Sequence, residues 1–170
     1  MKQKQNIVLV GFMGTGKTGV GKLLADKLSM SFVDMDDVIE KQEGKSISSI
    51  FAEDGEPYFR SLERKLVREL SQKSGLVIGT GGGVVLNHYN IKDFSRTGLV
   101  VCLTAKPEII LERVAEDTDR PLLAEGNKLE KIKTMLDRRK QFYDAIPDRI
   151  DTTKLTINEI ADKIIELYRA

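Results

Sequence analysis

The chain is poor in the residues that hold metals through sulfur or cross-link a fold. Among 170 residues there is one cysteine, Cys102, and one histidine, His88. A single cysteine excludes a disulfide framework and a four-cysteine zinc site. Cys102 lies in the apolar run 99–103 and reads as a small buried core residue, not a reactive thiol. His88 reads as a turn residue beside Asn87 and Asn90. Charge of one sign is also missing: the net charge of +1 gives neither a basic field for nucleic acid nor a polybasic membrane patch. The first six residues are polar and the apolar run after them is too short for a signal or membrane segment, so the expected location is cytoplasmic. Repeats, low-complexity tracts and linkers are absent. We therefore expect one domain over 1–170, able to bury about 70% of its unfolded surface, with monomer as the default.

What is present begins at Ile7-Val8-Leu9-Val10, four apolar residues that read as a strand buried on both faces. They run into Gly11-Phe12-Met13-Gly14-Thr15-Gly16-Lys17-Thr18, which fits G-x-x-x-x-G-K-T, and a helical pattern starts at the lysine. Glycines let the backbone take positive φ and approach phosphate closely, and the loop amides with the helix N-terminus present partial positive charge to an anion. Lys17 can reach the β- and γ-phosphates, and the Thr18 hydroxyl can ligate Mg²⁺. The loop indicates a nucleotide without saying what is done with it.

Further strands are expected at Phe32-Val33, Leu76-Val77-Ile78, 99–103 and 149–152. Between them lie helical stripes such as Phe59, Leu62, Leu66 and Leu70, and Ile132, Leu136 and Tyr143. Thr156 and Glu159 form a capping box for the last helix. Periodicity is lost from about 117 to 127, which reads as a mobile loop. Five strands alternating with helices predict an α/β fold with a parallel sheet covered on both faces. Ligands in such sheets bind beyond the carboxyl ends of the strands. The phosphate loop, Asp34 with Asp36, and Gly81-Gly82-Gly83 all follow strands, so they should gather along one edge.

Asp34 and Asp36 suit a helix cap, yet an acid at a strand end beside a phosphate loop often holds Mg²⁺. Arg60 and Glu63, three residues apart, could be a surface pair, but Glu63 lies beside the apolar stripe and should face inward. Three glycines in a row are costly unless backbone must come close to something, and a ligand is the expected partner. Arg139 falls on an apolar helix face where a cation needs an anion. Arg120 lies in the aperiodic loop, where it could swing over a γ-phosphate as a lid closes.

Taken together, these residues resemble the shikimate kinase family over essentially the whole length. The resemblance rests on the phosphate loop with Val20-Gly21 and Leu24-Ala25, then Phe32-Val33-Asp34-Met35-Asp36 and the segment 50–56. Phe59-Arg60 with Glu63, Gly81-Gly82-Gly83 and Arg120-Pro121-Leu122-Leu123 complete it. It implies a three-layer P-loop kinase fold like the nucleoside monophosphate kinases, with five parallel strands, substrate-binding helices over about 35–62 and a lid over about 115–127. It implies transfer of the γ-phosphoryl of ATP to the 3-hydroxyl of shikimate with Mg²⁺, a step of chorismate and aromatic amino acid biosynthesis. Shikimate would be held by Asp36, Arg60, Gly81, Gly82, Gly83 and Arg139, with Glu63 orienting Arg60 and with Phe51 and Phe59 walling the ring. ATP would lie on Gly14, Thr15, Gly16, Lys17, Thr18 and Gly19, with Arg113 against the adenine, Lys154 nearby and Arg120 over the phosphates. Thr18 and, through water, Asp34 would hold Mg²⁺; Lys17, Asp36 and Arg120 would carry the chemistry.

Residue 19 is Gly where the family more often has a hydroxyl residue, and Lys154 stands where some members have arginine. The nearest alternative is another small-molecule kinase, such as a gluconate kinase, which would not need two arginines aimed at one carboxylate. A GTPase-like switch is a second, since Asn127-Lys128-Leu129-Glu130 superficially resembles the guanine-reading N-K-x-D. It carries Glu in place of Asp and opens a helix instead of following a buried strand.

Overall fold

The computed structural model describes residues 4–115 and 127–170. The segment expected to form the lid, with Arg120, lies almost wholly outside the described residues. Strands and helices alternate as β1 (Asn6–Val10), α1 (Lys17–Leu28), β2 (Ser31–Asp34), α2 (Met35–Glu43), α3 (Ile47–Asp54), α4 (Glu56–Leu70) and β3 (Leu76–Gly79). A short 3-10 turn (Val84–Leu86) then leads to α5 (His88–Thr97), β4 (Gly98–Thr104), α6 (Pro107–Val114), α7 (Lys128–Asp144), β5 (Asp148–Asp151) and α8 (Ile157–Arg169).

The five strands form one sheet in the order β2-β3-β1-β4-β5, every pair parallel. β1 sits at its centre and all of its residues are buried, as expected of a strand covered on both faces. Its side chains alternate between two cores. Val8 and Val10 join Ile78, Val100 and Cys102 under α4, α5 and α7. Ile7 and Leu9 join Val77, Val101 and Leu103 under α1 and α8. Both layers of helices are thereby fixed by a period-two pattern in strands only four to seven residues long. Among the described residues no helix is long and apolar enough to cross a membrane.

Local chemistry sets the helix starts. Asp34, Ser46, Asn127 and Thr156 each cap with a side-chain oxygen, and Thr156 with Glu159 forms the reciprocal capping box. Asn87 does the same for α5 by accepting from the Tyr89 amide at 3.0 Å. His88 is therefore the first residue of a helix, not a turn residue, and its ring stacks on Tyr89. β5 begins one residue earlier than expected, and Thr152 continues its ladder by donating its backbone N–H to the Thr104 carbonyl at 2.7 Å.

Close packing of α1 on the sheet depends on a glycine. A Cβ on Gly21 would meet the Phe32 ring, with Cδ2 at 2.9 Å, and the same ring already lies 3.3 Å from where a Cβ on Gly79 would stand. The ring is wedged between two backbones. Gly21→Ala gains about 1 kcal/mol of helix propensity, while overpacking a rigid ring costs about 1–3 kcal/mol. Overpacking should win: the variant is expected to melt below the wild type, and Phe32→Leu in the same chain should restore most of the loss. A Gly21→Ala protein with raised melting temperature would contradict this packing.

Candidate active site

The carboxyl ends of β1, β2 and β3 lie level, since Leu9 pairs with Gly79 and Gly79 with Asp34. Thr80 ties the row together: its amide and hydroxyl both reach the Leu9 carbonyl, at 3.1 and 2.9 Å. From β1 the chain enters the phosphate loop, where Gly11, Gly14 and Gly16 have φ of 139°, 75° and 101°. Those values are open to glycine and strained for other residues. A Cβ on Gly11 would also collide with the Leu103 carbonyl of β4. The buried Thr15 hydroxyl braces the loop by donating to the Phe12 carbonyl at 2.7 Å. Lys17 folds back over the loop, its ammonium donating to the Gly11 carbonyl and to that of Phe12 at 3.0 Å.

Asp34 takes the capping role and turns its second oxygen towards the phosphate loop. Its Oδ1 caps α2 by accepting from the amides of Asp36 and Asp37, at 3.0 and 3.2 Å. Its Oδ2 faces the Thr18 hydroxyl at 3.5 Å. One oxygen builds the helix; the other meets the phosphate loop as a hard anionic donor beside a hydroxyl, a pair suited to a divalent cation. Arg113, at the end of α6, donates to the Gly14 carbonyl at 3.0 Å and to the hydroxyl and carbonyl of Thr152, at 3.1 and 3.2 Å. Gly19 is exposed, and a Cβ there would lie 3.1 Å from Ile157 Cδ1. Lys154 is exposed beyond β5, in a groove with Lys106 and Lys163 and outside the cleft at the strand ends.

That cleft, of about 460 Å³, runs from the phosphate loop to α3 and α4. It brings together Gly14, Gly16, Lys17, Thr18, Gly19, Asp34, Asp36, Phe51, Phe59, Arg60, Glu63, Gly81, Gly82, Gly83 and Arg139. The glycine run is its floor. A Cβ on Gly83 would stand 2.6 Å from Arg60 Cζ, one on Gly82 3.3 Å from Arg139 Nη1, and one on Gly81 3.2 Å from Asp36 Oδ1 and 3.3 Å from Glu63 Oε2. What the glycines admit closely is thus the charged side chains of the site itself. Phe51 and Phe59 stack at 5.0 Å, and the guanidinium of Arg60 lies 5.3 Å above the Phe59 ring. Arg139 is only 6% exposed and covers the Phe12 ring at 5.7 Å, whereas Arg138 is exposed.

Glu63 is the buried carboxylate expected on α4, at 2% exposure. It accepts from Arg60 Nη1 at 3.1 and 3.3 Å, while Arg60 Nη2 reaches Glu56 at 3.2 Å. Arg60 Nε is buried and has no hydrogen-bond partner among the described residues. Desolvation pushes the Glu63 carboxyl up to about 7. The charge and hydrogen bond of Arg60 oppose this, the negative charge of Asp36 adds to it, and Arg139 pulls the other way.

Several contributors were not singled out from sequence. Phe12 and Tyr143 flank Arg139, and the Tyr143 hydroxyl donates to the Gly82 carbonyl at 2.7 Å. Thr152, fully buried, reaches the carbonyls of Thr104 and Thr15 at 2.9 and 3.2 Å. Glu40 receives the Ile47 amide at 3.1 Å and lines the cleft. Tyr143 carried the one available signal, its place four residues after Arg139 on the same helical stripe.

A family model for shikimate kinase matches residues 13–169. The shikimate kinase of Thermodesulfovibrio yellowstonii is 48% identical over 164 residues, covering 96% of this chain and 95% of that one. That of Pelotomaculum thermopropionicum is 46% identical over 165 residues, covering 97% and 96%. Among solved structures, a shikimate kinase from Acinetobacter baumannii in complex with shikimate superimposes with a TM-score of 0.92 at 37% identity, over 96% of this chain and 92% of that chain. A gluconokinase from Sinorhizobium meliloti shares only the fold, at 16% identity, a TM-score of 0.59 and coverage of 99% and 94%. With matched sequence over nearly its whole length, the chain belongs to the shikimate kinase family.

Proposed function

We propose that this chain, as a monomer in the cytoplasm, transfers the γ-phosphoryl group of ATP to the 3-hydroxyl of shikimate, giving shikimate 3-phosphate and ADP. The observation that carries the reading is the convergence of Arg60 and Arg139 on one glycine floor, beside Asp36 and next to the phosphate loop. Two guanidiniums on one wall suit a small carboxylate, which each can bind in a planar fork. Asp36 takes hydrogen bonds from the ring hydroxyls, and the Phe51–Phe59 pair walls the ring. The unpartnered Nε of Arg60 fits this role, being a buried donor that an incoming carboxylate would satisfy.

On the donor side the amides of 14–19 cradle the phosphates, and Lys17 leaves the loop carbonyls for the β- and γ-phosphates. Thr18 and Asp34 would hold Mg²⁺, which would supply charge neutralisation for the transferring group. By the resemblance, Arg120 would neutralise the transferring group, and Arg113 would lie against the adenine with Lys154 nearby. The acceptor oxygen bonds phosphorus as the bond to the bridging oxygen breaks and ADP leaves. Asp36 orients the hydroxyl and accepts its hydrogen bond, and the hydroxyl proton passes to solvent as the new ester bond forms. Positioning and charge neutralisation supply most of the acceleration.

The direct test is ADP release by the purified protein with ATP and Mg²⁺. Release should depend on shikimate and should not be supported by gluconate; release indifferent to shikimate would overturn the reading. Arg60→Ala should lower kcat/KM for shikimate by roughly 100-fold or more, because it removes a charged anchor and strands Glu63, while ADP binds normally. Loss of ADP binding in that variant would take Arg60 out of the acceptor site.

The raised Glu63 carboxyl also sets a pH dependence. The folded protein holds this proton more tightly than the unfolded chain, so the stability it contributes is complete below about pH 4.5 and is lost as pH rises through about 7. Between about pH 5 and about pH 8, wild type should therefore lose on the order of 2–3 kcal/mol more unfolding free energy than Glu63→Gln. Denaturant titrations with parallel pH slopes for the two proteins would rule out Glu63 as the titrating group.

A further inference from the structure

The glycine floor has three carbonyls to satisfy. The 3-10 turn takes two of them, with the Val84 amide on the Gly81 carbonyl at 3.2 Å and the Leu86 amide on that of Gly83 at 3.1 Å. The Gly82 carbonyl is held instead by the Tyr143 hydroxyl at 2.7 Å, across 61 residues of sequence. Gly82 is also the residue at which the two halves of the cleft meet. A Cβ there would stand 3.3 Å from Arg139 Nη1 on one side, and 3.5 Å from the Met13 amide and 3.6 Å from the Gly11 carbonyl on the other. Tyr143 follows Arg139 by four residues on α7, so both lie on one helix face. The phenol is 5% exposed. Burial pushes its ionisation up to about 12 against the charge and hydrogen bond of Arg139, so it stays a neutral donor at any physiological pH.

We propose that Tyr143 is a positioning residue for the acceptor: by fixing the Gly82 carbonyl it holds Arg139 in register with the phosphate loop. The inference rests on the shikimate reading of this cleft. A packing role would be served by the ring alone. The hydroxyl adds the one bond that ties α7 to the strip of backbone between Arg139 and the loop. Removing it leaves the ring in the core and lets that strip shift, which displaces the carboxylate anchor relative to the phosphoryl donor. Donor binding, built on the loop and on Thr152, does not pass through Tyr143.

Tyr143→Phe is the test. Its kcat/KM for shikimate should fall roughly 5- to 10-fold, the effect of losing one buried hydrogen bond, while its Kd for ADP stays within about twofold of wild type. In an Arg139→Lys background, where the forked contact is already gone, the same change should cost less than about twofold, because the two residues act as a unit. An unchanged kcat/KM overturns the proposal, and so does a loss shared equally with ADP binding or one that persists in full beside Lys at 139. Should Tyr143→Phe fold poorly, Gly82→Ala reaches the same register from the other side. Its φ is not in the left-handed region, and its new methyl would press on Arg139. It should reproduce the shikimate-selective loss, and undiminished shikimate use by Gly82→Ala overturns the proposal. A wild-type protein without shikimate-dependent ADP release would instead sink the assignment of the cleft.

Discussion

The acceptor half of the cleft depends on one desolvated ion pair. Glu63 is almost wholly buried, while Arg60 keeps part of its side chain in solvent. Taking a carboxylate out of water costs several kcal/mol, and burial pushes the Glu63 carboxyl up despite the opposing charge and hydrogen bond of Arg60. The return is orientation. With Nη1 held by Glu63 and Nη2 by Glu56, the Arg60 guanidinium has a fixed plane over Phe59 and a fixed place on Gly83. A carboxylate entering the cleft meets a donor already aimed, without ordering a long side chain.

The pair could not be built on an ordinary strand end. Any side chain at 83 would occupy the volume of the Arg60 guanidinium, and side chains at 81 and 82 would press on Asp36, Glu63 and Arg139. The glycine run is thus an adaptation of backbone to protein cations and carboxylates packed around the acceptor. Glycine serves a different purpose in the phosphate loop, where positive φ at 11, 14 and 16 bends the chain between β1 and α1. The same residue type answers a steric demand at one strand end and a conformational one at the other.

This contrast also explains what could be read from sequence. The period-two pattern of β1 and the strand–loop–helix context of 7–18 identify the sheet and the nucleotide loop, because both are local. The strand-end rule then gathers Asp34, Asp36 and the glycines on one edge without knowledge of side-chain packing. Arg139 is separable from its neighbour Arg138 by helical phase, and the structure buries the first and exposes the second. Long-range hydrogen bonds are what escaped. Thr152 reaching the Thr15 carbonyl, Arg113 reaching that of Gly14, and Tyr143 reaching that of Gly82 each join segments more than 60 residues apart. None has a spacing rule that could announce it. Asp34 shows a subtler limit: a helix cap and a strand-end acid beside the phosphate loop read as alternatives, yet one of its oxygens caps α2 while the other faces Thr18.

The two halves of the cleft meet along the backbone at Gly82, and two side chains also cross between them: Asp34, from its cap on α2 to Thr18, and Arg139, over the Phe12 ring. That arrangement has a consequence for how specificity and rate can vary. Changes at Phe51, Phe59 or Glu40 reshape the acceptor pocket without moving the phosphate loop. Thr152 and Arg113 brace the loop from behind, at the Thr15 and Gly14 carbonyls, apart from Arg60 and Arg139. The floor between the two halves transmits displacement from one to the other, since Gly82 lies against Arg139 on one side and the 11–13 backbone on the other. In-line phosphoryl transfer is intolerant of misplacement of even about 1 Å. The constraint on this floor is therefore strict at one point and loose around it, and that point is where a side chain is missing.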